Sequence, residues 1–278
     1  MSQMQAAPVP DKDEKRYAEL KEKAGRFRVL IIGGANAGKT TILKKICHTT
    51  DDPEIYDVRG RKIAVSELEP TSLRGLHNIE NEMVFRSNPT FVFHDSCGFE
   101  AGGVDEFETV KAFVYGRARE DVFGGQVHVI WYCIAMDDDR PVTHAEKHFF
   151  SRSGAGKVPV VAVFTKCEAL ELKAIAALED EGFDFDEAVE KVPIYVEEKL
   201  KKVHKVLEEM EYPPRGHVYL QELDKPDVAC EDLVKCTAKV LDSKILQSLF
   251  ISTQQNSLEL AIEQSLMQVN MSWFDIHD

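Results

Sequence analysis

The sequence predicts a three-layer α/β fold: a mostly parallel sheet with one antiparallel hairpin strand, covered on both faces and carrying a helical insertion. Three observations predict it. Short apolar runs of strand length alternate with amphipathic helical stretches, the pattern of a parallel sheet buried between helices. The segments His77–Arg86 and Thr90–His94 read as a hairpin turned by Ser87-Asn-Pro. A glycine-rich loop joins the first strand to the first helix. With 278 residues and 44% apolar content, the chain is long enough for one large core.

The elements follow in order. Residues 1–25 are polar and read as a flexible tail, and 26–278 as one domain with a helical insertion at about 171–245. The first strand spans roughly Phe27–Ile32 and the next helix Lys39–His48. Residues 49–75, with Pro53, Gly60, Pro70 and Gly75, form a long connection. After the hairpin, Asp105–Glu120 is helical, Gln126–Ala135 a strongly apolar strand, Thr143–Ser151 a short helix and Val158–Phe164 a buried strand. Ala169–Asp180 and Pro193–Met210 are helices; Pro193 opens the second because proline suits a first turn. His217–Leu220 is a short strand, Glu231–Leu241 a helix, Leu249–Ser252 a final strand and Leu258–Met267 a closing helix.

Gly33-Gly-Ala-Asn36-Ala37-Gly38-Lys39-Thr40-Thr41 is the phosphate-cradling pattern G-x-x-x-x-G-K-[ST] in a strand–loop–helix context. Gly33 and Gly38 let the backbone curl round an anion without Cβ clashes. Amides of Asn36, Ala37, Gly38 and Thr41 point at the phosphates with the helix N-terminus. Lys39 reaches the outer phosphates, and Thr40 supplies an oxygen to Mg²⁺.

Two later strands end in chemistry that matches. Phe91-Val-Phe-His94-Asp95-Ser-Cys-Gly98 closes an apolar strand with Asp-x-x-Gly, where Asp95 holds Mg²⁺ through water and the Gly98 amide senses a γ-phosphate. Val160–Phe164 runs into Thr165-Lys166-Cys167-Glu168. An acidic side chain here accepts from guanine N1–H and N2–H₂, while the lysine stem covers the base; adenine lacks both donors. Glu168 stands where aspartate is usual. Its extra methylene moves the carboxylate by about one carbon–carbon bond length, enough to weaken guanine preference in a preorganised site.

These elements, in this order, resemble the translation-factor-related class of P-loop GTPases. Asp95-Ser-Cys-Gly-Phe is similar to the Asp-Thr-Pro-Gly-Phe of septin-like, Era-like and Toc-type G domains. The resemblance covers roughly Phe27–Asn270, apart from the insertion. It implies bound GTP or GDP with Mg²⁺, slow GTP hydrolysis and a switch function. It also implies G-domain homodimerisation and an effector protein as partners. It asks for a switch-one threonine, for which Thr71 is the favoured residue and Ser72 the runner-up; the Thr71 hydroxyl would join Mg²⁺ in the triphosphate state. It asks too for a base-backing loop, found at Ser252-Thr253-Gln254 in preference to the similar Cys236-Thr237-Ala-Lys239, whose helical pattern already uses its amides.

The position after Gly98 is Phe99, which cannot orient water as a glutamine does, so turnover should be slow. Arg74, beside Thr71, is the candidate for neutralising transition-state charge, with Arg140 a weaker one. The Asp137-Asp-Asp139 run reads as a solvated loop. A net charge of −14 argues against an extended nucleic-acid partner. The cysteines form no C-x-x-C pair, and no transmembrane-length apolar run or signal peptide is evident, so the expected setting is cytoplasmic. Two other readings stay open: an assembly protein that binds GTP or GDP structurally, and a P-loop ATPase or nucleotide kinase.

Overall fold

The computed structural model describes residues 25–63, 78–96, 104–120 and 123–253. They form an α/β fold around one eight-stranded sheet, ordered β3-β2-β4-β5-β1-β6-β7-β8. The strands are β1 (Phe27–Gly33), β2 (Glu54–Tyr56), β3 (Lys62–Ile63), β4 (Glu82–Phe85), β5 (Asn88–Asp95), β6 (Val129–Ala135), β7 (Val160–Thr165) and β8 (Gly216–Tyr219). From β5 through β1, β6 and β7 to β8 every pairing is parallel. β4 pairs antiparallel with β5 in the expected hairpin. Beyond it the long connection adds two short antiparallel strands, β2 and β3. Their brevity explains why they escape a reading based on apolar runs.

Among the described residues there are seven helices: α1 (Lys39–Ile46), α2 (Val104–Arg117), α3 (His144–Phe150), α4 (Ala169–Asp180), α5 (Phe185–Glu208), α6 (Glu231–Val240) and α7 (Lys244–Thr253). The strand pleat sends alternate residues to opposite faces. Phe27, Val29 and Ile31 of β1 meet α1, α6 and α7 through Ile42, Leu43, Leu233 and Phe250. Leu30 and Ile32 meet α2, α3 and the end of α5 through Phe107, Val110, Phe149 and Leu207. Burial of these apolar faces is the main stabilising term.

Three expectations change. Leu249–Ser252 is not a strand but the end of α7. Ser243 caps that helix, its hydroxyl accepting from the Leu246 amide at 3.2 Å. The apolar run then buries Leu249 and Phe250 on one helical face rather than alternating. The helix expected from Pro193 starts earlier, at Phe185. A capping box between Asp184 and Glu187 fixes that start. Pro193 lies inside α5 on its solvent side, where water can satisfy the carbonyl that the ring leaves without a donor. The stretch 171–245, expected as an insertion, contains β8, which extends the main sheet beside β7. The tail 1–24 and the closing helix Leu258–Met267 lie outside the described residues.

Candidate functional site

The parallel strands deliver their C-terminal ends to one edge. α1 leaves β1 on one face of the sheet, and α2 leads from β5 to β6 along the other. The chain therefore diverges at the end of β1, the switch-point geometry where α/β sheets open a crevice. The loop Gly33–Gly38 sits there. Gly33 has φ +149°, and a Cβ on it would lie 2.5 Å from the Cys133 carbonyl oxygen of β6. Only glycine lets the loop start this close to the neighbouring strand. The Cys133 thiol behind it is pushed up to about 12 by burial and stays neutral. Gly38, at φ +77°, ends the loop as the N-cap of α1.

That helix start is prepared for an anion. The N-cap offers no side-chain hydrogen bond, and the first turn holds no acidic residue. The first-turn amides thus lack the side-chain acceptor that usually satisfies them. Lys39 is buried beside them. Its ammonium donates to the Gly33 and Gly34 carbonyls at 2.9 and 3.1 Å and lies 3.8 Å from Asp95 Oδ1. Asn36 holds φ +60° in the loop, and the Ala37 amide turns back to the Gly34 carbonyl.

Asp95 ends β5 and is buried next to Lys39. Ser96 follows, with its amide on the Ile31 carbonyl; its buried hydroxyl has no hydrogen-bond partner among the described residues. Thr40 follows Lys39 in the first turn of α1 and is exposed. The Asp95 carboxylate and the hydroxyls of Thr40 and Ser96 are hard oxygen donors, and the Ser96 hydroxyl keeps hydrogen-bonding capacity among the described residues. This donor chemistry fits Mg²⁺ rather than a softer ion.

The end of β7 is stitched to the same loop. The Thr165 hydroxyl donates to the Ala37 carbonyl at 3.1 Å. Lys166 then takes φ +56° and extends its ammonium to Asp137 Oδ2 at 2.6 Å. Glu168 begins α4 without capping it. Its carboxylate instead accepts the Glu222 amide at 2.9 Å, from the loop after β8. Glu222 itself holds φ +52°. Two non-glycine residues in the left-handed region, Lys166 and Glu222, thus flank the Glu168–Glu222 contact and store backbone strain. From Thr40 and Thr41 a groove of about 910 Å³ runs beside α1, past Lys44 and His48, to Leu223 and Asp227. Its volume lies within the range of small-molecule sites.

The structure thus brings together Gly33, Asn36, Ala37, Gly38, Lys39, Thr40, Thr41, Asp95, Thr165, Lys166 and Glu168. It does not bring Ser252 and Thr253 with them. Both lie in the last turn of α7, and the Thr253 hydroxyl folds back on the Phe250 carbonyl. The Thr253 carbonyl accepts from Asn88 at the start of β5, and Phe250 packs on Phe27 and Phe91. That is the opposite edge of the sheet, roughly 20 Å away along a seven-residue strand. The amides of Ser252 and Thr253 are spent inside the helix, so they cannot back a base at the other edge. Thr71, Ser72, Arg74, Gly98, Phe99 and Gln254 lie outside the described residues.

Two features escape the sequence reading. One is the Leu220–Glu222 loop, which is bonded to the end of β7: the Cys167 amide donates to the Leu220 carbonyl at 3.2 Å and the Glu222 amide to Glu168. The other is a buried polar network behind Asp95. Arg28 pairs with Glu82 at 2.7 Å and with His94 Nε2 at 3.1 Å, and also donates to the Gly124 carbonyl. His94 Nδ1 donates to the Ile79 carbonyl at 2.9 Å, which fixes the neutral tautomer that accepts from Arg28. Burial first, and Arg28 second, push His94 down to about 3. An arginine interrupting the apolar run Phe27–Ile32 was the available signal.

No family model matches the chain, and no curated protein matches it. Two solved structures, a glycine-to-proline and a glycine-to-serine variant of a protein called SsGBP, align with 15% and 14% identity over 90% and 92% of this chain, at TM-scores of 0.37 and 0.36. The chain spans 66% of the length of each. Among the described residues no helix is long and apolar enough to cross a membrane.

Proposed function

We propose that this chain is a Mg²⁺-dependent guanine-nucleotide-binding protein of the P-loop class, which hydrolyses GTP slowly to GDP and works as a nucleotide-controlled switch. One observation carries the reading. Lys39 sits 3.8 Å from Asp95, and Thr165 is bonded to Ala37, so three motifs distant in sequence meet at one sheet edge, which supports a shared nucleotide site. On this reading the 33–41 loop and Lys39 hold the phosphates, and Thr40 and Asp95 hold Mg²⁺, joined by Thr71 in the triphosphate state. Lys166 and Glu168 receive the base. Mg²⁺ supplies charge neutralisation between the outer phosphates. The sequence motifs assign γ-phosphate sensing to Gly98 and charge neutralisation to Arg74, and G-domain homodimers and an effector are the partners such a switch uses.

The test is nucleotide identity and its dependence on Lys39. Purified protein should carry or take up GDP or GTP, and Lys39→Ala should weaken that affinity at least about a hundredfold, as loss of a buried charged contact to phosphate would. Unchanged affinity in Lys39→Ala, or ATP competing as well as GTP, would sink the guanine assignment.

Phe99 favours a second reading, an assembly protein that holds GTP or GDP with little turnover, because that side chain cannot orient water. Single-turnover hydrolysis against protein concentration separates the two. A rate that climbs with concentration supports a dimer-activated GTPase, and none at any concentration supports the assembly role.

A further inference from the structure

The acidic run Asp137-Asp-Asp139 follows β6 and, as sequence, looks like an ordinary solvated loop. The structure gives it a specific set of partners. Asp137 Oδ2 receives the Lys166 ammonium at 2.6 Å. The Asp137 carbonyl receives the Lys173 ammonium from α4 at 2.7 Å, and Lys173 also binds Asp139 Oδ1 at 3.0 Å. Asp139 is held below the usual carboxylate range by that same lysine. The loop is therefore fixed to α4 at one end and offers a carboxylate to Lys166 at the other. Lys166 is two residues from Glu168, and its backbone is already committed to the left-handed region.

We propose that Asp137 is a positioning residue for base recognition: it anchors the Lys166 ammonium so that the lysine stem lies across the opening as one wall for a purine. The inference rests on the guanine-nucleotide reading above and deepens it. A flexible lysine stem loses rotamer entropy whenever it is pinned against a ring. A carboxylate that holds its far end beforehand removes that loss from the binding step, which is preorganisation. Arginine or asparagine at 137 could not do this by charge; a carboxylate can. Both partners are partly exposed, 34% for Lys166 and 43% for Asp137, so the pair by itself contributes little to folding. Its effect belongs in affinity for the base.

The experiment titrates the full-length protein with GDP and, separately, with inorganic tripolyphosphate, which fills the phosphate cradle but has no base. Asp137→Ala should weaken GDP about three- to tenfold, in the range of a solvent-exposed charge pair partly shielded by a bound base, and leave tripolyphosphate unchanged. Asp137→Glu should restore GDP to within about twofold of the parent. Lys173→Ala, which frees the Asp137 carbonyl, should give a smaller loss of the same kind. GDP affinity in Asp137→Ala equal to the parent would overturn the proposal, and so would an equal loss for both ligands, since that is a general structural effect. A parent protein that binds tripolyphosphate but not GDP would overturn the guanine reading itself.

Discussion

Thr165 and Ala37 stand 128 residues apart in sequence, yet the Thr165 hydroxyl donates to the Ala37 carbonyl at 3.1 Å with Thr165 fully buried. That bond locks the end of β7 to the middle of the phosphate-type loop. Thr165→Val keeps the shape and removes the donor. It should cost about 1 kcal/mol of stability, the usual net value of one buried hydrogen bond. It should also weaken GDP binding several-fold because the loop loses its brace. Urea midpoints and GDP titration check the two effects, and a full-affinity, less stable Thr165→Val would remove the loop from the explanation.

Gly33 and Gly60 allow a comparison of clash with strain. Both have positive φ, but a Cβ at Gly33 meets Cys133 at 2.5 Å, whereas at Gly60 it meets nothing within 4 Å. Gly60→Ala should cost about 1 kcal/mol, the conformational penalty alone. Gly33→Ala must push β1 from β6 as well and should cost roughly 3 kcal/mol or more. Equal midpoints for the two variants in urea would contradict the close approach of those strands.

His94 makes stability depend on pH. Its native pKa is about 3 and its ordinary value 6.5. Between these the unfolded chain takes up a proton that the native one refuses. Stability is therefore fully present above about pH 6.5 and falls as pH drops through the window, reaching its limit near pH 3. The slope from this one group is about 1.4 kcal/mol per pH unit, or about 2 kcal/mol between pH 6.5 and 5. His94→Gln should remove that part of the pH dependence. Urea unfolding of both proteins at pH 7 and 5 measures the difference, and parallel pH profiles would show that His94 is not the group responsible.

Glu168 has two duties on the proposed reading, to meet the base and to hold the Glu222 amide. Glu168→Ala should cut the preference for GTP over ATP at least about tenfold, since discrimination rests on donors that only guanine offers. It should also expose the Glu222 amide to faster hydrogen exchange, because its acceptor is gone. A variant that keeps its base preference while the Glu222 amide exchanges faster would assign Glu168 to the loop alone.

Much of this edge is legible in the sequence because it depends on side chains that few others can replace. Gly33, Gly38 and Lys39 are required by a backbone conformation and a charge, and the apolar strands around them are set by burial. The loop after β8 is not legible, for a physical reason. Glu222 meets Glu168 through its main-chain N–H, which almost any residue would supply, so nothing in Gln221-Glu222 advertises the contact. The α7 error has a different cause. Leu249-Phe-Ile is apolar enough for either period, and the choice is made by Ser243, some residues upstream, and by the rings of Phe27 and Phe91 that receive Phe250. Pro193 misleads because the first-turn rule ignores the solvent side of a long helix, where a missing amide costs less.

Every residue of β1 is buried, and the strand lies between β5 and β6 with helices over both faces. Its amides should exchange with deuterium only when the whole molecule opens. The loop at Gly33 is thus mounted on an anvil, and whatever ligand arrives there should tighten the rim at Lys166 and Glu222 while leaving the footing beneath it unaltered.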